Sequence, residues 1–283
     1  MSNPYGPFGQ PVTAAAPGLA ERAREALDAA HAVLVQDFPP DPGQYIAFLR
    51  ELGTPLENYG AGSSSPAYTL HPNINVVRCT PAAAETARVQ EQGGPLPPHS
   101  ARAFAARRPR YIAMYMANPG WPAPAGQSGE SIVVRWSRAL QHMAREDPRR
   151  YARDYRLLSQ TPVTITAAHV ADEWATTPII YPLPGTGSEA SVGVRYSLAL
   201  LGQLPAQHMD DALRDEYRAA VGRLAEAAAS PDVQFTYQAK AGDILILDNN
   251  RFAHGRLAFP RSRPGQRGNT EVNPRELWSV TVG

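Results

Sequence analysis

Two histidines far apart in the chain carry the strongest chemical signal. His99 opens the segment His99-Ser100-Ala101-Arg102-Ala103-Phe104, and His254 lies in Asp248-Asn249-Asn250-Arg251-Phe252-Ala253-His254-Gly255-Arg256. Neutral imidazole binds divalent first-row metals well, and two imidazoles with one carboxylate on one face of the ion leave the opposite positions open to incoming ligands. In such a set the carboxylate normally sits two residues after the first histidine. Here that residue is Ala101. The pair therefore reads as a metal site short of one protein ligand, and whatever takes the open position decides the reaction.

Taken singly, each histidine is more readily a hydrogen-bonded structural residue than a ligand, and only the flanking segments reverse that preference. A rival with the literal His-x-Asp spacing, His208-Met209-Asp210, precedes an amphipathic helix beginning at Asp211. Asp210 stands where an N-cap belongs, a role that needs no metal. His31, His71, His142 and His169 have no paired partners and read as structural or surface residues.

The elements that must position the pair are short. Residues 20–30 show helical spacing, 31–38 switch to a β-rich apolar run, and 44–52 return to helix, closed by Gly53 and Pro55. Gly, Ser and Pro mark 59–66 and 91–98 as loops, the second delivering His99. Strand character follows at 74–77, 111–116 and 131–136, and residues 118–129 read as a long turn or lid. Residues 137–155 are helical or irregular, with further short strand candidates at 163–166, 179–181 and 191–196. The clearest helix is 210–229, with Leu213, Tyr217, Ala220, Val221 and Leu224 on one side. Strands at 235–237, 244–247 and 277–282 complete the inventory. Many short strands with inserted helices and no regular βαβ alternation predict a mainly β fold, a jelly roll decorated by α-helices.

At 283 residues the chain fits a single domain, 19–283, behind a Pro-, Gly- and Ala-rich stretch, 1–18, expected as a loose arm. A net charge of +1 gives no electrostatic reason to expect nucleic acid or an acidic membrane, so the expected partner is a small molecule. Oligomeric state is not legible. Cys79 is the single cysteine, which excludes an intrachain disulfide and fits a reducing cytoplasm. No apolar run is long enough to cross a membrane and no secretory signal opens the chain. No Gly-rich phosphate loop sits between strand and helix, which argues against a nucleotide-binding fold.

Four stretches together resemble one family. His99 to Phe104 followed by Arg108-Pro109-Arg110-Tyr111 is similar to its His-Thr-Glu-x-Ala-Phe and Arg-Pro-x-Tyr stretches, with Ala101 in the place of the Glu. Ala241-Gly242-Asp243-Ile244-Leu245-Ile246-Leu247-Asp248-Asn249 with His254-Gly255-Arg256 resembles its second-histidine segment. His31 to Val35 and Phe48 to Pro55 resemble its opening strand and helix. The family is the clavaminate synthase-like and taurine dioxygenase-like group of Fe(II)- and 2-oxoglutarate-dependent oxygenases, which includes amino-acid hydroxylases of antibiotic pathways.

The resemblance implies a double-stranded β-helix core, of the jelly-roll, cupin-like kind, and Fe(II), 2-oxoglutarate and O2 as cofactors. It implies His99 and His254 as iron ligands and an arginine beyond the second histidine for the distal carboxylate of 2-oxoglutarate, with Arg275 the matching position and Arg267 its competitor. Ser131 resembles a hydroxyl position that assists the same carboxylate. Arg256, Arg102 and Arg195 are candidates for contacts with substrate or for orienting the site, and Arg107 is a further possible anchor. In the radical halogenases of this superfamily Ala or Gly replaces the acidic ligand and halide takes its place, so Ala101 implies a halide position with chloride as an optional ligand. The same residues leave other readings open: a hydroxylase, desaturase or cyclase with water or a carboxylate such as Glu130 completing the shell, or a non-catalytic small-molecule-binding jelly roll.

Overall fold

The computed structural model describes residues 5–57, 70–79, 92–167, 170–183, 192–261 and 271–283. The chain begins with β1 (Val12–Thr13), α1 (Leu19–Ala30), β2 (Ala32–Gln36) and α2 (Pro42–Leu52). It continues with β3 (Asn75–Arg78), β4 (Leu96–His99), β5 (Tyr111–Asn118), β6 (Ser131–Arg135), α3 (Trp136–Glu146) and α4 (Pro148–Gln160). Then follow β7 (Val163–Ala167), β8 (Val170–Thr177), β9 (Ile180–Pro182), β10 (Val192–Val194), α5 (Leu200–Gln203) and α6 (Asp211–Ala229). β11 (Gln234–Tyr237), β12 (Ile244–Asp248), β13 (Phe252–Arg256) and β14 (Glu276–Val282) close the chain.

Two sheets form the core. The larger has the order β1-β2-β12-β5-β14-β3 and the smaller β11-β6-β13-β4, with β9/β10 and β7/β8 as separate two-stranded ribbons. This is the expected jelly roll with added helices.

Alternation along the strands explains how both faces of each sheet are used. In β5, Tyr111, Ala113 and Tyr115 pack outward with α1 and α2 residues such as Leu27, Tyr45 and Leu49. Its intervening Ile112, Met114 and Met116 turn inward to meet Leu245, Leu247, Val133 and Phe252 between the sheets. In β6, Ile132 and Val134 turn away from that interior toward Trp136, Leu140, Leu158 and Leu224 of the helical layer. A strand sandwiched in this way reads in sequence as an unbroken apolar run.

Helix starts follow local chemistry. Asp41, Asp147 and Asp210 cap α2, α4 and α6, accepting from the backbone N–H of Gln44, Arg150 and Leu213. Pro42 and Pro148 occupy the first turns of α2 and α4, where a missing N–H costs nothing.

Three expectations change. Residues 5–18 pack instead of forming a loose arm: Phe8 is 1% exposed and Val12 6%, and β1 adds a parallel strand to β2. The apolar side chains of this stretch outweigh its Pro and Gly content. The stretch expected as a loop up to Pro98 ends in strand β4, whose two prolines are tolerated because β4 is the edge of the smaller sheet. The strand inventory gains β13, which holds His254 and follows β12 after the three-residue turn 249–251.

Candidate active site

His99 ends β4 and His254 is the central residue of β13, and the two are direct partners in the antiparallel register. Neighbours across strands project side chains to the same face, so the rings meet with centroids 4.4 Å apart. The loop 249–251 turns β12 back into β13, and the edge strand β4 is laid against β13. Those two local arrangements create the pair.

Both rings are in the state that binds metal. Nδ1 of His99 lies 2.9 Å from the Pro97 carbonyl oxygen, which can only accept, so Nδ1 carries the proton and Nε2 keeps its lone pair. Burial holds the His99 pKa below its ordinary value, and burial together with the His99 ring holds His254 well below it. Nδ1 of His254 is buried without a hydrogen-bond partner. A desolvated neutral ring of this kind suits a metal ion shared with its neighbour.

The pair opens on a cavity of about 570 Å³ between the sheets, also lined by Ala101, Arg102, Ser131, Arg256 and Arg275. Ala101 lies in that wall two residues beyond His99. No group of three His, Cys, Asp or Glu able to hold a metal occurs among the described residues. Glu130, weighed above as a substitute ligand, does not line the cavity: its carboxylate accepts from the N–H groups of Gly126 and Ser128 and closes the 118–129 turn.

Arg275 is a buried cation in the cavity wall. It is 3% exposed, donates to the Gly129 carbonyl oxygen at 3.2 Å and stacks over Phe259, and no carboxylate pairs with it among the described residues. Burial and the nearby Arg256 push its pKa down to about 9. A guanidinium so desolvated gains most from a carboxylate, which it can take through two parallel hydrogen bonds. Gly129, at φ +68°, makes room for it, since a Cβ there would lie 2.9 Å from Nε of Arg275. Ser131, 5% exposed at the start of β6, lines the same cavity. Arg256 also lies over the Phe259 ring, its guanidinium carbon 4.5 Å from the centroid, and donates to the carbonyl oxygens of Gln92 and Gly94.

Other sites fall elsewhere. Arg267 and His169 lie outside the described residues. Arg195 does not line the cavity: it follows β10 and donates to the Ala105 carbonyl oxygen beside Arg108 and Tyr181. Arg107 is exposed and is not in the cavity wall. Arg102 is at the cavity, with its guanidinium 3.6 Å from Glu173 of β8 and donating to the Glu57 carbonyl oxygen. His208 is exposed and Asp210 is the α6 cap. Sequence reasoning gave no role to Phe259, Gly129 or Asn249, because each acts through a neighbour distant in the chain.

Fold, paired imidazoles and an unpaired buried arginine define a non-haem Fe(II)- and 2-oxoglutarate-dependent oxygenase. A sequence model of the "Taurine catabolism dioxygenase TauD, TfdA family" matches residues 3–280, and the chain belongs to that family. A taurine dioxygenase from Burkholderia xenovorans shares the fold at 17% identity and TM-score 0.58, covering 98% of this chain and 87% of that one. An asparagine oxygenase in complex with Fe(II), 2S,3S-3-hydroxyasparagine and succinate aligns at 17% identity and TM-score 0.57, over 94% of this chain and 84% of the other. The oxygenase OrfP in complex with Fe, succinate and (3S)-hydroxy-L-Arg aligns at 18% identity and TM-score 0.60, over 95% and 81%. No match is found among curated proteins.

Proposed function

We propose that this enzyme oxidises an unactivated C–H bond of a small amino-acid-like metabolite and that halide occupies the iron position left open by Ala101, making halogenation the favoured outcome. The carrying observation is that Ala101 lines the cavity two residues beyond His99, while no described carboxylate joins the histidine pair. Losing an acidic ligand removes one negative charge and one donor from the metal, and a halide ion restores both.

In this reading His99 and His254 hold the iron through neutral imidazole. Arg275 clamps the distal carboxylate of 2-oxoglutarate, with Ser131 in the same cavity wall and Arg256 tied to the carbonyl oxygens of Gln92 and Gly94. The metal supplies O2 activation coupled to conversion of 2-oxoglutarate to succinate. The chain's own task is to hold substrate, exclude water and leave the third position to an exchangeable ligand. Arg102, which lines the cavity while pairing with Glu173, is the cation we assign to an anionic group of the substrate, Arg256 and Arg275 being at the cosubstrate end. The ligands named with the asparagine oxygenase and OrfP support an amino-acid-like substrate. We read the protein as a cytoplasmic biosynthetic enzyme, on its resemblance to amino-acid hydroxylases and on a composition with a single cysteine, Cys79. No described helix is long and apolar enough to cross a membrane.

Anaerobic Fe(II) with 2-oxoglutarate is expected to give a weak visible charge-transfer band that chloride shifts, and a chlorinated product is expected by mass spectrometry. Ala101→Asp is expected to abolish the chloride response. A band indifferent to chloride, with hydroxylated product only, would instead favour the second reading, a hydroxylase with water in the open position.

A further inference from the structure

Strand pairing ends at His99, so the peptide groups that follow need other partners in a buried setting. Ser100 finds them on one side: its N–H donates to the Tyr196 carbonyl oxygen at 2.9 Å and its hydroxyl to that of Val194 at 3.1 Å. The next peptide is held from the other side. The Asn249 side-chain Oδ1 accepts from the Ala101 N–H at 2.9 Å, and Nδ2 donates to the Ala101 carbonyl oxygen at 3.0 Å. One side-chain amide thus acts on residue 101 as a neighbouring strand would, making both bonds of a two-bond bridge.

Asn249 is itself fixed. It is fully buried, its N–H donates to the Arg110 carbonyl oxygen at 2.9 Å, and its own carbonyl oxygen accepts from Arg108 at 2.6 Å. It lies in the turn that leads into β13, five residues ahead of His254. The ring of bonds therefore ties the turn carrying the second histidine to the residue two beyond the first.

We propose that Asn249 is a positioning residue for the third iron-ligand position: it fixes the direction of the residue 101 side chain, so the chain keeps the scaffold of a three-ligand site although it carries Ala there. This rests on reading His99 and His254 as metal ligands. Two hydrogen bonds, one to each of the peptide groups that flank residue 101, fix both the location of its Cα and the direction of its Cβ, just ahead of the left-handed Arg102 at φ +47°. A carboxylate placed at 101 would then arrive oriented for the metal, and its contribution would depend on Asn249.

The test is a double-mutant cycle on metal affinity in the full chain, with Co(II) as probe and its visible spectrum reporting coordination. Ala101→Asp is expected to tighten Co(II) binding and change the spectrum. Adding Asn249→Ala is expected to reverse that by about 10–100-fold, the usual cost of losing a group that orients a ligand, with much less effect when Ala101 is present. Asn249→Asp, which keeps the acceptor but loses the donor, is expected to fall between, and provides a second readout should Asn249→Ala not fold. Equal effects of Asn249 substitution in both backgrounds, within about twofold, would reduce Asn249 to a structural residue and overturn the proposal. Absence of Co(II) binding in every variant would overturn the two-histidine reading and this proposal together, whereas binding without coupling overturns only the latter.

Discussion

The two faces of the smaller sheet treat arginine in opposite ways. On the helix-covered face Arg223 of α6 meets Asp154 of α4 in a fork, Nε and Nη2 each 2.7 Å from a carboxylate oxygen, and that partner raises its pKa. On the cavity face Arg275 is more deeply buried, has no described carboxylate partner, and its pKa is pushed down to about 9. A charge that serves the fold is satisfied within the fold, whereas under the proposed function Arg275 is kept desolvated for a ligand carboxylate. The histidine pair follows the second pattern: both residues are half-buried, their pKa values lie below the ordinary value, and Nδ1 of His254 is buried without a partner.

The largest effect expected from this contrast lies in the metal pair. His254→Ala should lower Fe(II) or Co(II) affinity by more than the ~10–100-fold that loss of an outer-shell group costs, measured by calorimetry, with little loss of thermal stability. A large drop in melting temperature with metal affinity unchanged would move His254 to the structural side of the comparison.

Arg275→Gln should weaken 2-oxoglutarate binding by about 30-fold to several thousand-fold, corresponding to the ~2–5 kcal/mol lost when one partner of a buried charge pair is truncated. Folding stability should hold or rise, because an unpaired buried cation is removed. Asp154→Ala should do the reverse, costing about 3 kcal/mol in chemical denaturation, at the lower end for buried pairs because Arg223 is part-exposed, and leaving 2-oxoglutarate affinity unchanged. If both substitutions affected the same measurement, the division between the faces would fail.

Gly129→Ala should act through Arg275. It forces a left-handed residue at about 1–2 kcal/mol and puts a methyl against Nε of Arg275, so 2-oxoglutarate affinity should fall by about tenfold. Wild-type affinity in this variant would show that the arginine can shift.

The smallest effect concerns pH. Burial holds the folded-state pKa values of His99 and His254 below the ordinary histidine value of 6.5. The unfolded chain therefore binds more protons as pH falls below about 6.5. Stability of the metal-free protein should be full above that pH and decline below it as the unfolded rings protonate, with a shallower decline in His254→Ala. Urea midpoints that do not change with acidification would contradict buried neutral rings.

Much of this was legible from local sequence. The helices capped by Asp41, Asp147 and Asp210 and the apolar runs of β2, β5 and β12 follow from residues adjacent in the chain. Strand β4 was hidden, because prolines argue against a strand until the sheet reveals an edge. The packing of Phe8 and Val12 was hidden because a few apolar side chains among Pro and Gly show no period. At the site, the histidines, Ala101 and Arg275 are visible as residue types, but nothing local shows that Arg195, a candidate for substrate contact, stays out of the cavity.

The sequence by itself determined the chemical inventory: two imidazoles, an alanine where an acid would stand, and an arginine beyond the second histidine. Those are properties of covalent identity and short-range spacing. Only the tertiary structure decided that the imidazoles meet, that Arg275 and not Arg195 faces the cavity, and that Asn249 holds the peptide of Ala101. Desolvation, ring contact and peptide pairing depend on which distant atoms displace water, and that is settled when β4 pairs with β13 and the two sheets close.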